Sequence, residues 1–294
     1  MPNTFCKLGI IGWPLGYSLS PVMQEAALKS IGLEGEYKEY PVKFGELDSW
    51  LKKEAPKLAG FNVTMPYKSQ LWDKVRKIGR LGNPQQDDII GALNTVVVEE
   101  GRLIGYNTDG EGFLAPLTDR HLDLTGWRVI LLGSGGAARA IAVALALKTK
   151  ISQLTIWNRD PNLTRARHLM ENVNRLRGAN DFAHATDDIQ GLGIQEAKLL
   201  INATPVGMEG KGDFVFAAEK LPPELVVYDL VYEPRKTELI QIAKRRGCQV
   251  ITGDEMLAAQ GAAAFELFVG QPGVGAKVYP VMKKALEEHV ADRS

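Results

Sequence analysis

The sequence predicts an α/β protein of two domains, an N-terminal βαβ domain and a C-terminal domain built as a doubly wound parallel sheet. Three observations predict it: the length of 294 residues, two successive alternations of strand-like and helix-like segments, and a glycine-rich turn early in the second alternation. Chains of this length usually form two domains. Each return from one strand to a parallel neighbour requires a crossover, which a helix supplies.

The first alternation fills the N-terminal part of the chain. Period-2 and 3.6-residue apolar patterns predict its elements. They are a strand over 6–11, a helix starting at Ser20-Pro21, a strand over 37–42, a helix over 45–53, a strand over 58–63, and a hairpin of strands 94–98 and 102–106. Its order predicts parallel strands covered by helices, with the hairpin added at the end.

The second alternation begins after a polar stretch at 119–126, which places a domain junction near residues 115–126. Its strands are predicted at 128–132, 152–157, 198–201, 226–230 and 248–251, and its helices at 136–148, 161–177, 235–246 and 254–268. A last helix is expected over about 278–289. We expect one domain over 1–115, completed by the helices within 254–294, and a second over 116–253.

Composition excludes several function classes. Lys and Arg total 35, as do Asp and Glu, so no net positive field exists to hold a nucleic acid or an anionic membrane. The longest apolar run, 140–147, is far too short to span a bilayer, and no signal peptide is recognisable. We therefore expect a cytoplasmic protein with no nucleic-acid or membrane partner.

Metal and disulfide chemistry are also disfavoured. Cys6 and Cys248 are far apart and form no C-x-x-C pair, so both are predicted to be buried as small apolar side chains. The four histidines, His121, His168, His184 and His289, show no metal-binding spacing. We expect no metal site.

The glycine-rich turn is the strongest local signal. Gly133-Ser134-Gly135-Gly136-Ala137-Ala138 follows a predicted strand and opens an apolar helix, which gives G-x-G-x-x-A in the context of a Rossmann-type domain. The first glycine permits the tight turn, the second lets backbone amides approach a pyrophosphate, and Ala138 allows close packing of helix on strand. The sequence therefore predicts a dinucleotide site.

The next strand ends in Asn158-Arg159-Asp160, where an NAD site usually carries an acidic residue for the ribose. Arg159 favours the 2′-phosphate of NADP, because a guanidinium binds phosphate well. Asp160 would repel that phosphate and could bind a ribose hydroxyl instead. NADP is the favoured cofactor, and NAD remains the alternative.

Four polar loops of the N-terminal half carry further candidate residues. They are Gly12–Pro21, Gly60–Lys68, Ala92–Thr95 and Gly105–Asp109. Three of them follow or end predicted strands, where open α/β sheets bind ligands. Taken singly, each residue is better explained by a structural role, Ser20 as a helix cap, Asn94 as a turn residue and Lys68 as a solvated cation.

Together these loops resemble the shikimate dehydrogenase family, which includes quinate/shikimate dehydrogenases, from Gly12 to about Phe265. The motifs G-x-P-L-x-Y-S-x-S-P, G-x-N-V-T-x-P-x-K and N-T-D, the glycine turn, Asn202–Met208 and Gly253–Gln260 occur in the family's order. The resemblance implies reversible reduction of 3-dehydroshikimate to shikimate with NADPH, a step of chorismate and aromatic amino-acid biosynthesis, by a monomer or homodimer.

The resemblance also implies roles for individual residues. Ser18, Ser20 and Tyr232 would bind the substrate carboxylate, and Thr64, Asn94 and Gln260 the ring hydroxyls. Lys68 and Asp109 would form the catalytic pair, with Lys68 as general base and Asp109 positioning it. The cofactor would be held by Gly133, Ser134, Gly135, Gly136, Ala137, Asn158, Arg159, Asp160, Thr204, Leu230 and Gly253.

One departure from the family pattern bears on specificity. NADP-dependent members often place Thr after Asn-Arg and a basic residue three positions later, whereas this chain has Asp160 and a later Arg165. The longer loop resembles the quinate/shikimate branch, so quinate oxidation with NAD, or dual cofactor use, stays open. A dinucleotide-sensing module without catalysis is the alternative from another class, and the presence of both Lys68 and Asp109 argues against it.

Overall fold

The computed structural model describes residues 5–16, 18–160, 163–209, 211–212 and 221–291. Two compact units divide the chain. The first combines the described residues up to Gly112 with those from Leu257 onward, and the second is Phe113–Met256. Each unit contains one six-stranded sheet.

The first unit mixes strands and helices in one sheet with helical cover. Its elements are β1 Cys6–Gly12, α1 Ser20–Ser30, β2 Gly35–Pro41, α2 Leu47–Lys53, β3 Gly60–Val63, α3 Lys68–Ile78, β4 Arg80–Leu81, α4 Pro84–Ile90, β5 Thr95–Glu99 and β6 Arg102–Tyr106, followed by the start of α5 Asp109–Asp119. From Leu257 onward, the rest of α9 Gly253–Val269 and α10 Val274–Ala291 complete it.

The sheet of this unit has the strand order β2-β1-β3-β5-β6-β4, and β5 runs antiparallel to both of its neighbours. The remaining neighbouring strands pair in parallel. The predicted hairpin is therefore present, and it turns what would be a purely parallel sheet into a mixed one. Because β5 is reversed, its amino end lies at the edge where β3 and β6 have their carboxyl ends.

Apolar side chains on one side of this sheet form a core that includes Trp50, Phe61, Tyr67 and Leu93. Phe61 packs edge-on against Trp50, with ring centroids 4.9 Å apart. Across the unit, α10 packs along α1, and the Gln24 side chain of α1 donates to the carbonyl of Gly261 in α9 at 3.0 Å. The two ends of the chain thus belong to one folded unit.

The second unit is a parallel sheet flanked by helices. Its elements after α5 are β7 Arg128–Leu132, α6 Gly136–Lys148, β8 Gln153–Trp157, α7 Thr164–Arg177, β9 Ala183–Thr186, β10 Leu199–Asn202, β11 Val226–Asp229, α8 Glu238–Arg245, β12 Gln249–Thr252 and the start of α9. The strand order β12-β11-β10-β7-β8-β9 is that of a doubly wound dinucleotide-binding sheet. The predicted fold class is confirmed for both units.

Several elements were not predicted. The helices α3, α4 and α5 fall where the sequence analysis assigned loops or no element, and Pro116 and Gly112 explain why α5 is hard to recognise. The strands β4 and β9 are only 2 and 4 residues long, too short for a periodic signal. The last helix starts at Val274, four residues before its predicted start, and Pro280 lies inside it.

Two further expectations concern single features. Cys6 and Cys248 are both free and buried, as predicted. Among the described helices, none is both long and apolar enough to cross a bilayer. Tyr17 of the first motif and Pro161-Asn162 before α7 lie outside the described residues.

Candidate active site

A lysine and an aspartate from two helix starts meet at one edge of the first sheet. Lys68 is the first residue of α3, just after β3, and Asp109 is the first residue of α5, just after β6. The Lys68 Nζ donates to Asp109 Oδ2 at 2.7 Å. Asp109 is almost fully buried, whereas 24% of the Lys68 side chain is exposed, so the amine retains access to a ligand.

Asn94 holds the other oxygen of this carboxylate. Its Nδ2 lies 2.8 Å from Asp109 Oδ1 and 3.2 Å from Gln260 Oε1. Asn94 precedes β5, and the reversed direction of that strand brings it to the carboxyl ends of β3 and β6. Asn94 is 3% exposed, so its amide is held in a low-dielectric environment where such bonds are strong.

The loop between β6 and α5 is fixed by its own side chains. The backbone N–H of Thr108 donates to Asn94 Oδ1 at 2.9 Å, and that of Asp109 donates to Asn107 Oδ1 at 3.0 Å. Asn107 in turn donates to the carbonyl of Ala92 at 2.9 Å. This loop therefore presents the Asp109 carboxylate in one orientation.

Ser18 and Ser20 lie at the start of α1, in the same unit. The Ser20 N–H donates to Ser18 Oγ at 3.2 Å, and the Ser20 side chain is buried. Burial raises the pKa of the Tyr37 phenol, and a hydrogen bond with the Ser20 side chain opposes that rise. Hydroxyl groups here suit a carboxylate, because they donate without adding charge.

Thr64 follows β3, and its backbone N–H donates to the carbonyl of Ile11 at the end of β1 at 2.9 Å. Its side chain is half-buried. Thus Ser18, Ser20, Thr64, Lys68, Asn94, Asp109 and Gln260 all belong to the first unit. Tyr232 belongs to the second unit, just after β11, and its predicted contact with the substrate stays a prediction.

The glycine turn has the geometry that a pyrophosphate site requires. Gly133 has φ +110°, and a Cβ there would lie 2.9 Å from the carbonyl oxygen of Ala203. Gly135 is the N-cap of α6, is exposed, and has open space where a Cβ would stand. The amino end of α6 is therefore accessible to an anion, and Ala138 is fully buried where helix and strand pack.

The residues after β8 lie next to this turn. The Asn158 side chain donates to Ser134 Oγ, and the Asp160 N–H donates to Asn158 Oδ1 at 2.9 Å. Arg159 is exposed. Burial lowers the pKa of Arg139 on α6, and the charge of Arg165 adds to that effect.

A second buried network joins the carboxyl ends of β10 and β11. Asn202 Nδ2 donates to Asp229 Oδ1 at 2.8 Å, and Thr237 Oγ1 donates to Asp229 Oδ2 at 2.6 Å. Burial raises the pKa of the Asp229 carboxyl. Thr204 is held through Asn202 Oδ1, which accepts from its N–H at 3.0 Å and from its hydroxyl at 2.7 Å.

The remaining predicted cofactor residues lie beside this network. A Cβ on Gly253 would lie 2.2 Å from the carbonyl oxygen of Leu230, so only glycine fits this close approach. Ala137 is the second residue of α6 and is partly buried. The predicted cofactor residues all lie in the second unit, near the carboxyl ends of its strands.

Several residues of the site were missed. Thr95 and Thr108 hydrogen-bond Asn94, and Asn107 orients Asp109. Asn107 and Thr108 are the first two residues of the N-T-D motif, for which the resemblance implied a role only at Asp109. Asn202 and Asp229 were also not singled out, although each ends a strand with a buried polar residue.

Comparison with known proteins gives a consistent result. Residues 10–96 match the model of the shikimate dehydrogenase substrate binding domain. A shikimate dehydrogenase (NADP(+)) of Nitrosopumilus maritimus is 37% identical over 289 residues, which cover 97% of this chain and 98% of that protein.

Two solved structures share the fold. Shikimate 5-dehydrogenase of Thermus thermophilus, solved with NADP(H) and shikimate, has a TM-score of 0.80 and 35% identity, and the match covers 96% of this chain and all of that one. The ligand-free 5-ketofructose reductase of a Gluconobacter strain has a TM-score of 0.82 and 32% identity, covering 97% and 99%. The chain belongs to the shikimate dehydrogenase family.

Proposed function

We propose that the protein is an NADP-dependent shikimate dehydrogenase that interconverts 3-dehydroshikimate and shikimate. The observation that carries the proposal is the Lys68–Asp109 pair at 2.7 Å, backed by Asn94 and Gln260. Alcohol oxidation needs a group that accepts the hydroxyl proton as hydride leaves. In this cluster, Lys68 is partly exposed and carries an amine that can both give and take a proton.

The proposed mechanism assigns a separate task to each residue. In the reductive direction, Lys68 gives a proton to the oxygen of the substrate carbonyl, and Asp109 holds the Lys68 ammonium in place. Asn94 and Gln260 bind ring hydroxyls with neutral groups, and Thr64 borders the same end of β3. Ser18 and Ser20, joined by Tyr232, bind the carboxylate.

The residues of the second unit fit a dinucleotide, which supplies the hydride when bound. The open amino end of α6 would hold the pyrophosphate through Gly133, Ser134, Gly135, Gly136 and Ala137. Thr204, Leu230 and Gly253 would border the nicotinamide, and Asn158, Arg159 and Asp160 would border the adenosine. Arg159 and Arg165 support NADP, because two guanidinium groups offset the charge of Asp160.

The second candidate, use of NAD with quinate or shikimate, rests on Asp160. The test is initial rates of nicotinamide reduction with shikimate and quinate, each offered with NADP and with NAD. Rates with shikimate and NADP far above the other three pairs support the proposal. Comparable rates with NAD or with quinate would show instead that the protein belongs to the quinate/shikimate branch. No turnover with any of the four pairs would support a dinucleotide-sensing module without catalysis. Reduction of 5-ketofructose, which carries no carboxylate, is the control for whether the substrate must be an acid.

Variants at the adenosine end sharpen the cofactor assignment. Arg159→Ala and Arg165→Ala should each raise KM for NADP about tenfold and leave KM for NAD unchanged, since only NADP carries the phosphate. Arg167→Ala is the matched control, because Arg167 is exposed and lies on α7, the helix that also carries Arg165. An equal rise for both cofactors would contradict phosphate recognition by these arginines.

We also infer a cytoplasmic location, which two free cysteines support, since reduced thiols persist there.

The oligomeric state, monomer or homodimer, stays a prediction, and sedimentation velocity distinguishes the two. The first unit would bind the substrate and the second the cofactor.

A further inference from the structure

We infer that Thr95 is a positioning residue for the reaction, because its hydroxyl helps to orient the Asn94 amide that holds Asp109. This inference rests on the proposed function. Thr95 is fully buried at the start of β5, and it pairs with Asn62 of β3 across the sheet. Its hydroxyl therefore faces only other protein groups.

The direction of each hydrogen bond follows from the donors available. Burial raises the pKa of Tyr37, so its phenol keeps its proton and donates to Asn62 Oδ1 at 2.8 Å. The Asn62 Nδ2 must then point away, and it donates to the carbonyl of Asn94 and to Thr95 Oγ1, both at 3.2 Å. Asn62 is buried, so its orientation is locked from both ends.

Because Thr95 Oγ1 accepts from Asn62, its own proton needs another acceptor. Asn94 Oδ1 lies 2.9 Å away, whereas Thr108 Oγ1 lies 3.4 Å away, so Asn94 is the better partner. The oxygen of the Asn94 amide is thereby held on the Thr95 side. The amide nitrogen must face Asp109 Oδ1 at 2.8 Å, which is the orientation the carboxylate needs.

The Thr108 backbone N–H also donates to Asn94 Oδ1, at 2.9 Å, and the Thr108 hydroxyl lies 3.2 Å from the same oxygen. Loss of the Thr95 hydroxyl therefore weakens the orientation of Asn94 without abolishing it. Without the Thr95 hydroxyl, the Asn94 amide accepts one hydrogen bond fewer and spends more time rotated or displaced. Its N–H group is then less often in place to donate to Asp109 or to the substrate. The expected result is a moderate loss of turnover.

The experiment compares Thr95→Val with Thr95→Ser. The valine variant keeps the shape and removes the hydroxyl, and we expect kcat with shikimate to fall about tenfold, with KM for NADP unchanged, because the cofactor residues belong to the other unit. The serine variant restores a hydroxyl and should stay within about twofold of wild type. Thr149→Val, which removes a hydroxyl bond to the Leu145 carbonyl at the far end of α6, is the control for general stability.

Two results would overturn the inference. One is a valine variant that is folded and turns over within twofold of wild type. The other is equal impairment of the serine and valine variants, which would assign the effect to packing. Thr95→Cys, with its weakly donating thiol, replaces valine if that variant does not fold. An inactive wild-type enzyme would instead contradict the proposed function, and the inference with it.

Discussion

Each unit buries an asparagine–aspartate pair at the edge of its sheet, but the two pairs have different surroundings. In the first unit, Asn94 donates to Asp109 at 2.8 Å, and in the second, Asn202 donates to Asp229 at 2.8 Å. The other oxygen of Asp109 accepts from the Lys68 ammonium, whereas that of Asp229 accepts from the Thr237 hydroxyl.

The difference shows how one structural device serves two purposes. A partly exposed ammonium beside Asp109 leaves a proton that a ligand can reach. Asp229 is fully buried, and the described side chains that hydrogen-bond to it, Asn202 and Thr237, are neutral. Burial raises the pKa of the Asp229 carboxyl. Its hydrogen bonds with Asn202, Thr237 and the Val231 N–H hold together the loops that follow β10 and β11. We interpret the first pair as chemical and the second as structural.

The largest expected effect is the loss of the cation in the first pair. Lys68→Met should lower kcat by about 10²–10⁴-fold, because it removes the proton donor and acceptor, and leave NADP affinity intact. Rates and cofactor titration by fluorescence measure both. Lys74→Met is the control, since Lys74 lies on the same helix and pairs with the exposed Asp48. A Lys68→Met variant that kept a tenth of the wild-type turnover would contradict the chemical role of Lys68.

The same substitution in the two pairs separates them. Asp109→Asn should lower kcat about 100-fold, because a neutral amide no longer holds the Lys68 ammonium. Asp229→Asn should keep kcat within a few-fold and change stability by about 1 kcal/mol, because Thr237 can reverse its hydroxyl and accept from the new amide. Steady-state rates and urea unfolding report the two effects. Equal losses of kcat in the two variants would contradict the distinction between a chemical Asp109 and a structural Asp229.

A third buried carboxylate, Asp87 of α4, extends the comparison to pH. Its side chain accepts from the backbone N–H groups of Asn83 and Asn107. Burial raises its pKa from 3.8 to about 6, and the charges of Asp88 and Glu111 add to the rise. Because the folded protein holds this proton more tightly than the unfolded chain, its stabilising contribution is full below about pH 4 and is lost as pH rises through about 6.

Asp87→Asn stays neutral at every pH and should not show this loss. The unfolding free energy of wild type relative to Asp87→Asn should therefore fall by about 2 kcal/mol between about pH 4 and 7. Urea unfolding over that range measures it, and Asp73→Asn, at an exposed position of α3, is the control. A difference that does not depend on pH would show that Asp87 is charged, or neutral, throughout the range.

The smallest expected effect lies at the cap of α8. Thr237 is the N-cap, accepts from the Ile240 N–H at 3.2 Å and donates to Asp229. Thr237→Val should lower stability by about 1 kcal/mol, with turnover unchanged, and Thr237→Ser should restore it. Thermal unfolding measures the change. A loss of turnover at full stability would give the second pair a functional role.

Much of the fold was predictable because strong local signals agree. The run Arg128–Leu132, the glycine turn and α6 follow one another with the bounds that the sequence analysis assigned. By contrast, α5 contains Pro116 and two glycines, and its formation depends on tertiary packing of residues such as Phe113, which is fully buried.

The site residues were named through resemblance, but their arrangement could not be predicted. Asn94 reaches Asp109 only because β5 runs against both of its neighbours, and the sequence predicts the hairpin with β6 but not the pairing of β5 with β3. Gln260 lies 166 residues from Asn94 in sequence. Thr95 carries no signal of its own, since a threonine at the start of a strand is ordinary.

The discontinuity of the first unit has a consequence for synthesis. Gln260, α9 and α10 leave the ribosome only after the whole second unit has been translated. Until then, α1 lacks the helix that covers it, and Asn94 lacks its Gln260 neighbour. The second unit can therefore fold before the first is complete, and a released chain that ends before residue 257 would contain the second unit but lack the residues that complete the first.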